Sequence, residues 1–285
     1  MKHQLIIFLY GTHGDELPFT QILANLFTEF LTQSTVIPSP LTVKTIGPID
    51  QWACSRLLHF SENGTDLNRQ HVACLENIPP ASDCLDKAFS VFTQCLNDVS
   101  LNSSFFLDQC RLLSVDLKSV LSLPQSSHQG FFGYTSHDSI SFAKSIRLNI
   151  VSDIHKLISL VQADRVCLFD LHAGIGMPGI LNFQYYTNPQ VVKHDGAFLV
   201  DGIARDISFK CIDCYVIEAG ISGTLKFFDS LFLELLFRFP SVSATPCRDN
   251  VLAMEQFRIW ENAIRRNFVN CFSEKLLDSI FSRVD

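Results

Sequence analysis

A histidine and a glutamate stand three residues apart directly behind an apolar run. The segment is GTHGDE, with His13 and Glu16, and it follows QLIIFLY (4–10). Zinc is bound tetrahedrally by His, Glu, Asp or Cys side chains, so the pair could supply half of a metal site. The alternatives are polar residues in an ordinary turn, or a glutamate whose charge favours the first turn of a following helix. The rest of the chain decides between these possibilities.

A third candidate ligand, His172, follows another apolar run. In LFDLHAGIG (168–176) a predicted strand ends in this histidine and passes into a glycine-containing loop. Ligands bind at the carboxyl ends of the strands in open α/β sheets. His13 and His172 occupy this position on two different strands, so we expect them to converge. For His172 taken by itself, the alternative is a histidine at the edge of a sheet with an ordinary hydrogen-bond partner.

The segment GTDLNRQ (64–70) lies between these motifs and suits the capture of a substrate carboxylate. Arg69 offers a bidentate fork, and Asn68 beside it offers a neutral donor. The alternative is a helix start, in which Asp66 caps the first turn and its neighbours face solvent.

Glu218, which ends the apolar run of CYVIEAGISG (214–223), is a further candidate site residue but not a candidate ligand. A carboxylate at the end of a hydrophobic strand is unfavourable to bury unless it is paired or used. An acid beside a metal-bound water is what general base catalysis requires.

Composition narrows the class of protein. The chain of 285 residues is 47% hydrophobic and carries a formal net charge of −7, which excludes a disordered chain and argues against a nucleic-acid partner. No apolar stretch approaches the length of a membrane span, and no secretory segment is visible. Ten cysteines without such a segment predict a reducing compartment, and hence a cytoplasmic protein.

Strand-like and helix-like segments alternate along the chain, which predicts the α/β class with helices on both faces of a mixed, mostly parallel central sheet. We expect one domain over 1–285, with 72–127 as an insertion of two or three short helices. The predicted strands are 4–10, 41–47, 165–171, 179–186 and 214–218. The predicted helices are 17–32, 139–163, 224–238 and 250–282.

The order of these motifs resembles the zinc carboxypeptidase superfamily: H-x-x-E after the first strand, then D-L-N-R, then D-L-H, then a strand-terminal Glu. GTHGDE and DLNR are similar to the succinylglutamate desuccinylase/aspartoacylase branch. The segments QGFFGYTSHDSISFAKSIR (129–147) and FDLHAGIGMPG (169–179) are closer to a sister branch of bacterial proteins with no assigned function. The resemblance runs in pieces over most of residues 4–282, and it is the order of the short motifs that makes it specific.

The resemblance implies a carboxypeptidase-like fold with one zinc ion per chain. Its ligands would be His13, Glu16 and His172, and Glu218 would be the catalytic acid/base. The separate C-terminal β-domain of aspartoacylases is not expected, because the tail of this chain has a helical pattern.

The resemblance also implies how substrate is held. Asn68 and Arg69 match the pair that grips a substrate carboxylate, and Asp66 or Asp170 would orient a ligand histidine. The family stabilises the oxyanion with an arginine before D-L-N-R. Arg56 is the nearest candidate here, although it is a few residues farther from the motif than in the desuccinylases. A substrate-contacting tyrosine is usual, and four candidates remain: Tyr134, Tyr185, Tyr186 and Tyr215.

The function implied is hydrolysis of a peptide or N-acyl amino acid bond next to a free carboxylate, on a small-molecule or peptide substrate. A non-catalytic zinc- or ligand-binding protein that retains the fold is the alternative from another class. A serine hydrolase is the rival enzyme, but GISG (220–223) lacks the G-x-S-x-G spacing of a nucleophile elbow.

Overall fold

The computed structural model describes most of the predicted sheet and most of the candidate site. The described residues are 3–33, 40–62, 66–68, 83–96, 102–117, 137–175, 180–187, 190–194, 203, 212–222, 231–232, 234–236, 254–267 and 276–277. The strands within them are β1 (Gln4–Leu9), β2 (Leu41–Ile46), β3 (Arg165–Ile175), β4 (Leu181–Thr187), β5 (Gln190–His194) and β6 (Ile212–Ser222). The main helices are α1 (Leu17–Gln33), α2 (Gln51–Arg56), α3 (Asp83–Cys95), α4 (Ser103–Leu112), α5 (His137–Val161) and α6 (Met254–Asn267).

The strands form one mixed sheet in the order β2-β1-β3-β6-β4-β5. The first four strands in this order run parallel to one another. The strands β4 and β5 pair antiparallel with their neighbours. In β1, every side chain from Leu5 to Leu9 is fully buried, as expected for a parallel strand covered on both faces.

Helices cover both faces of this sheet. On one face, Phe19, Leu23 and Phe27 of α1 pack with Trp260 of α6 against the strands. On the other face, Ile154 of α5 packs among apolar side chains of β1, β3 and β6. The predicted α/β class, with a mixed, mostly parallel sheet and helices on both faces, is confirmed. Within the described part of the chain, no helix combines the length and the apolar character needed to cross a membrane.

A second apolar cluster lies among helices. The stretch 72–127, for which short helices are predicted, contains α3 and α4, and their residues Phe92 and Phe106 pack against Phe232. Phe232 belongs to 231–236, whose described residues are helical, inside the predicted helix 224–238. The predicted helix 250–282 contains α6, and the described pair 276–277 is helical as well.

Two strands extend further than the sequence predicts, and this changes where the candidate residues lie. Backbone pairing between β3 and β6 continues beyond His172 and Glu218, through Ala173↔Ala219 and Gly174↔Gly220. His172 and Glu218 therefore lie inside their strands, near the carboxyl ends, and not at the last strand residue. The sequence also does not predict β5 or the short helix α2.

Candidate metal centre

The loop after β1 is held close to the segment around α2, and this fixes the position of His13. Gly14 N–H and Asp15 N–H both donate to the carbonyl of Leu58, at 2.7 and 3.2 Å. A side chain at Gly14 would lie only 2.1 Å from the carbonyl oxygen of Ala53, so only glycine allows this approach. Gly14 thus lets the loop approach α2 closely, and His13, the residue before it, is buried.

Glu16 is the meeting point of the predicted ligands. Its Oε1 lies 2.7 Å from His13 Nδ1, and its Oε2 lies 3.3 Å from His172 Nδ1. Oε2 also accepts a hydrogen bond from the backbone N–H of Ala173 at 3.0 Å. All three candidate ligands are buried, and their nearest ligand atoms lie within 4.8 Å of one another. These residues could hold a metal ion.

His13 and His172, the two candidate ligand histidines, each have a carboxylate at the other ring nitrogen. His13 Nε2 lies 2.9 Å from Asp66 Oδ1, which also accepts a hydrogen bond from Asn68 N–H at 2.8 Å. His172 Nε2 lies 3.1 Å from Asp170 Oδ1, at angles that do not fit a hydrogen bond. The sequence proposes Asp66 or Asp170 for this position. In the structure each carboxylate lies beside a different histidine.

Sequence reasoning missed a third histidine in the cluster. The ring of His59 stacks on His13, with centroids 3.8 Å apart. Its Nδ1 lies 3.1 Å from Asp15 Oδ1, and its Nε2 lies 3.7 Å from Asp66 Oδ2. The carboxylate of Glu234 accepts hydrogen bonds from the backbone N–H groups of His59 and Phe60, at 2.7 and 2.9 Å.

The cluster as a whole is an alternating chain of carboxylates and imidazoles. In spatial order it runs Asp15, His59, Asp66, His13, Glu16, His172, Asp170. No short motif contains His59, and its only sequence signal is that it precedes D-L-N-R by a few residues. His13, His59 and Asp66 also offer atoms close enough together for a metal ion.

The buried charges shift the pKa values of these groups. Burial alone would lower the pKa of His172, but the charges of Asp170 and Glu16 outweigh it and hold that pKa well above 6.5. Burial and the neighbouring His59 would both lower the pKa of His13, yet Glu16 and Asp66 leave it raised. Burial would raise the pKa of Glu16, but His13 and then His172 hold it well below its usual range.

The pKa of His59 shifts in the same direction as that of His172. Burial would lower it, but Asp15 and then Asp66 hold it well above 6.5. For His13, His59 and His172 alike, the neighbouring carboxylates thus favour the protonated, positively charged imidazole.

Glu218 lies next to His172 on the neighbouring strand. The two residues are register partners in the parallel pair β3–β6, so their side chains project from the same face of the sheet. This is the face covered by α5, because Val216 and Cys214, two and four residues before Glu218, belong to the apolar cluster on that side. The structure thus brings Glu218 to the edge of the cluster.

The remaining predicted residues lie in different places. Asn68 is buried beside Asp66. Arg69 lies outside the described residues, as do Tyr134 and the side chains of Tyr185 and Tyr186. Tyr215 stacks on Phe169 in the core, on the face of the sheet opposite to Glu218.

Arg56 is not brought to the cluster. Its guanidinium is exposed, donates to the carbonyl of Trp52 at 3.3 Å and to Ser55 Oγ at 3.0 Å, and lies over the ring of Trp52. These contacts hold the guanidinium on the surface of α2, because side chains in a helix point back toward its N-terminus, where Trp52 lies. The oxyanion role predicted for Arg56 has no support from this arrangement.

No protein-family model matches the chain, and no curated protein matches it. Two imidazole nitrogens and a carboxylate that converge, with a further carboxylate at their border, are suited to metal binding and to proton transfer beside the metal.

Proposed function

We propose that the protein is a zinc-dependent amide hydrolase that cleaves a peptide or N-acyl amino acid bond next to a free carboxylate. One observation carries the proposal. The Nδ1 atoms of His13 and His172 both approach Glu16, while their Nε2 atoms face Asp66 and Asp170. A ligand histidine whose other nitrogen meets a carboxylate is the usual arrangement around protein-bound zinc.

The donor set fits zinc in number and kind. Two imidazoles and one carboxylate leave a fourth tetrahedral position for water, as in catalytic zinc sites. Ligand atoms about 2.1 Å from a tetrahedral ion lie about 3.4 Å from each other. The 3.3 Å between Glu16 Oε2 and His172 Nδ1 matches that spacing, whereas the 2.7 Å between Glu16 Oε1 and His13 Nδ1 is a hydrogen-bond distance that would have to lengthen around an ion. A zinc ion bound here would polarise the scissile carbonyl and lower the pKa of a water molecule to about 7.

Glu218 would carry out the proton transfers. Its position beside His172 on the next strand puts a carboxylate at the border of the ligand set. There it accepts the proton of the attacking water and returns it to the leaving amine. Glu218 is half-buried, so its carboxylate is partly desolvated and interacts more strongly with a proton that it shares.

Asn68 and Arg69 would select the substrate. Asn68 is buried next to Asp66, which in turn contacts His13, so a group held by Asn68 lies close to the ligand set. Arg69 follows it in the chain and can hold a carboxylate by two parallel hydrogen bonds. A substrate whose carboxylate is held there would have its adjacent amide bond at the ligand set, where the attacking water is activated.

The proposal is tested by metal analysis of the purified protein and by assays on a panel of peptides and N-acyl amino acids, with and without a chelator. We expect about one zinc per chain and chelator-sensitive hydrolysis. Glu218→Gln is the matched control, because it should retain the metal and lose about 10²–10⁴-fold in turnover. A metal-free active protein, or full activity in Glu218→Gln, would overturn the mechanism. Metal bound without any turnover on the panel would favour the non-catalytic alternative.

The substrate class is tested by amidation. Blocking the carboxylate should lower kcat/KM by roughly 30- to 1,000-fold, because the arginine then lacks its partner in a partly desolvated pocket. Arg69→Ala should impair cleavage of the free acid strongly and cleavage of the amide very little, and Arg69→Lys should restore only part of the loss. Equal cleavage of both substrates would remove Asn68 and Arg69 from the site.

A further inference from the structure

Gly174 lies two residues beyond His172 on β3, and its backbone does not explain why it is a glycine. Its φ is not in the left-handed region, which other residues avoid. Among the described residues, the one atom that a Cβ at this position would meet within 4 Å is Glu218 Oε1, at 2.9 Å. The space over Gly174 is thus used by the carboxylate of Glu218.

The register of the strands explains this contact. His172 is paired with Glu218, and Gly174 is paired with Gly220 one step further toward the carboxyl ends of both strands. Residues 172 and 174 project from the same face, since side chains alternate along a strand. The side chain of Glu218 therefore leans along the sheet, and its carboxylate comes to lie over Gly174, two residues beyond His172 on β3.

We propose that Gly174 is a positioning residue for Glu218. The missing side chain at 174 leaves a flat area of backbone on which the carboxylate rests at the border of the ligand set. This inference rests on the proposed function, because it assigns to Gly174 the placement of the group that takes the proton. It adds a residue that is neither a metal ligand nor a substrate contact.

An alanine at this position should alter the carboxylate and not the fold. A contact of 2.9 Å must lengthen by about half an ångström to reach the ordinary range that begins at 3.4 Å. The atom that has to move is the end of a flexible side chain, so the strand itself is not strained. Displacement of a catalytic group by about 1 Å can reduce a rate by about 100-fold. We therefore expect Gly174→Ala to lower kcat by about 10- to 100-fold with KM nearly unchanged.

The test is a double-mutant cycle with Glu218→Asp. The shorter aspartate draws the carboxylate back by one methylene group, so that it no longer reaches position 174. In the Glu218→Asp protein, Gly174→Ala should change kcat by less than about threefold. A general weakening of the strand would reduce activity equally in both backgrounds. Zinc content and the melting temperature of Gly174→Ala should match the wild type.

A crystal structure of the zinc-loaded Gly174→Ala protein gives a readout that does not depend on activity. We expect the Glu218 carboxylate to be displaced from its wild-type position while His13, Glu16 and His172 are unmoved. If the wild type shows no metal-dependent hydrolysis, the proposed function fails. The displacement in the crystal structure then decides by itself whether Gly174 positions the Glu218 carboxylate. If the wild type hydrolyses and Gly174→Ala has the same kcat, the inference fails and the proposed function stands. An undisplaced carboxylate also overturns it.

Discussion

The two halves of the carboxylate–imidazole chain contain the same kinds of side chain in different geometries. In the half formed by His13, Glu16 and His172, the nitrogen atoms nearest to Glu16 converge on one carboxylate. In the other half, His59 lies between Asp15 and Asp66 with its two nitrogens facing opposite ways. A metal ion needs donor atoms that point to one place, whereas an ion-pair bridge needs them to point apart. Because of this difference, we propose the metal site in the first half, and we propose that the second half holds the loops together, although His13, His59 and Asp66 also offer atoms close enough for an ion.

The first prediction removes a converging ligand. His172→Ala leaves two donors where three are needed, and it also leaves Glu16 without one of its two imidazole partners. We expect metal content to fall from about one per chain to near zero, with loss of hydrolysis. Metal analysis after dialysis against a weak chelator measures this, and His13→Ala should behave in the same way. Unchanged metal content in both variants would show that the converging atoms of His13, Glu16 and His172 do not bind the metal.

The second prediction concerns the carboxylates behind the ligand histidines. Asp66→Asn and Asp170→Asn keep the size of each side chain and remove its charge. Each should lower metal affinity by about 10–100-fold, the usual effect of groups that orient a ligand histidine. Competition with a chelating dye gives the affinities. If only Asp66→Asn has an effect, then the contact between Asp170 and His172, which is not aligned as a hydrogen bond, does not orient the ring.

The same two halves also differ in how well the sequence predicts them. His13, Glu16 and His172 stand in short motifs at the ends of apolar runs, and the topology of a parallel sheet brings such ends together. The positions of β1, β2 and β4 and of α1 and α5 follow from hydrophobic periodicity, and the structure agrees to within a few residues. Local pattern and topology were sufficient for these parts.

His59 could not be found in this way, because its position depends on long-range contacts. Its backbone is held by Glu234, which is 175 residues away in the chain, and no periodic pattern reports such a pairing. For Arg56, proximity in sequence to D-L-N-R suggests a role in the site, whereas the side chain contacts Trp52 of its own helix. The oxyanion role of Arg56 stays a prediction. The sequence pattern predicts ends of β3 and β6 that are too early, because the Ala and Gly residues after His172 and Glu218 resemble a loop and yet remain paired.

The third prediction is the pH dependence of metal binding. A metal ligand must be deprotonated, and the carboxylates around His13 and His172 hold the pKa of each above 6.5. In a site of ordinary histidines, metal affinity levels off above pH 6.5, because the imidazoles are then already deprotonated. Here metal affinity should keep rising above pH 6.5, by about tenfold per pH unit for each proton displaced. In Asp170→Asn the rise should level off at a lower pH, because the pKa of His172 loses its main upward influence. Calorimetric titrations in buffers of several pH values measure both curves.

The last prediction separates the bridge from the metal site. His59→Phe keeps a ring that can stack on His13, but it removes both nitrogens that face Asp15 and Asp66. Loss of a buried hydrogen bond to a charged group lowers the free energy of unfolding by about 1.5–3 kcal/mol. We expect this destabilisation in denaturant titrations, with metal content still about one per chain.

The pH dependence of that destabilisation has a definite sign. The pKa of His59 is higher in the folded protein than its ordinary value of 6.5, so its stabilising contribution is complete below 6.5 and disappears as pH rises through the folded-state pKa. The difference in stability between wild type and His59→Phe should thus be largest near pH 6 and shrink in alkaline buffers. Asp15→Asn removes the same ion pair from its other end, and its effect should not add to that of His59→Phe. Loss of metal from His59→Phe with unchanged stability would reverse the assignment, because His59 would then be a ligand and not a bridge.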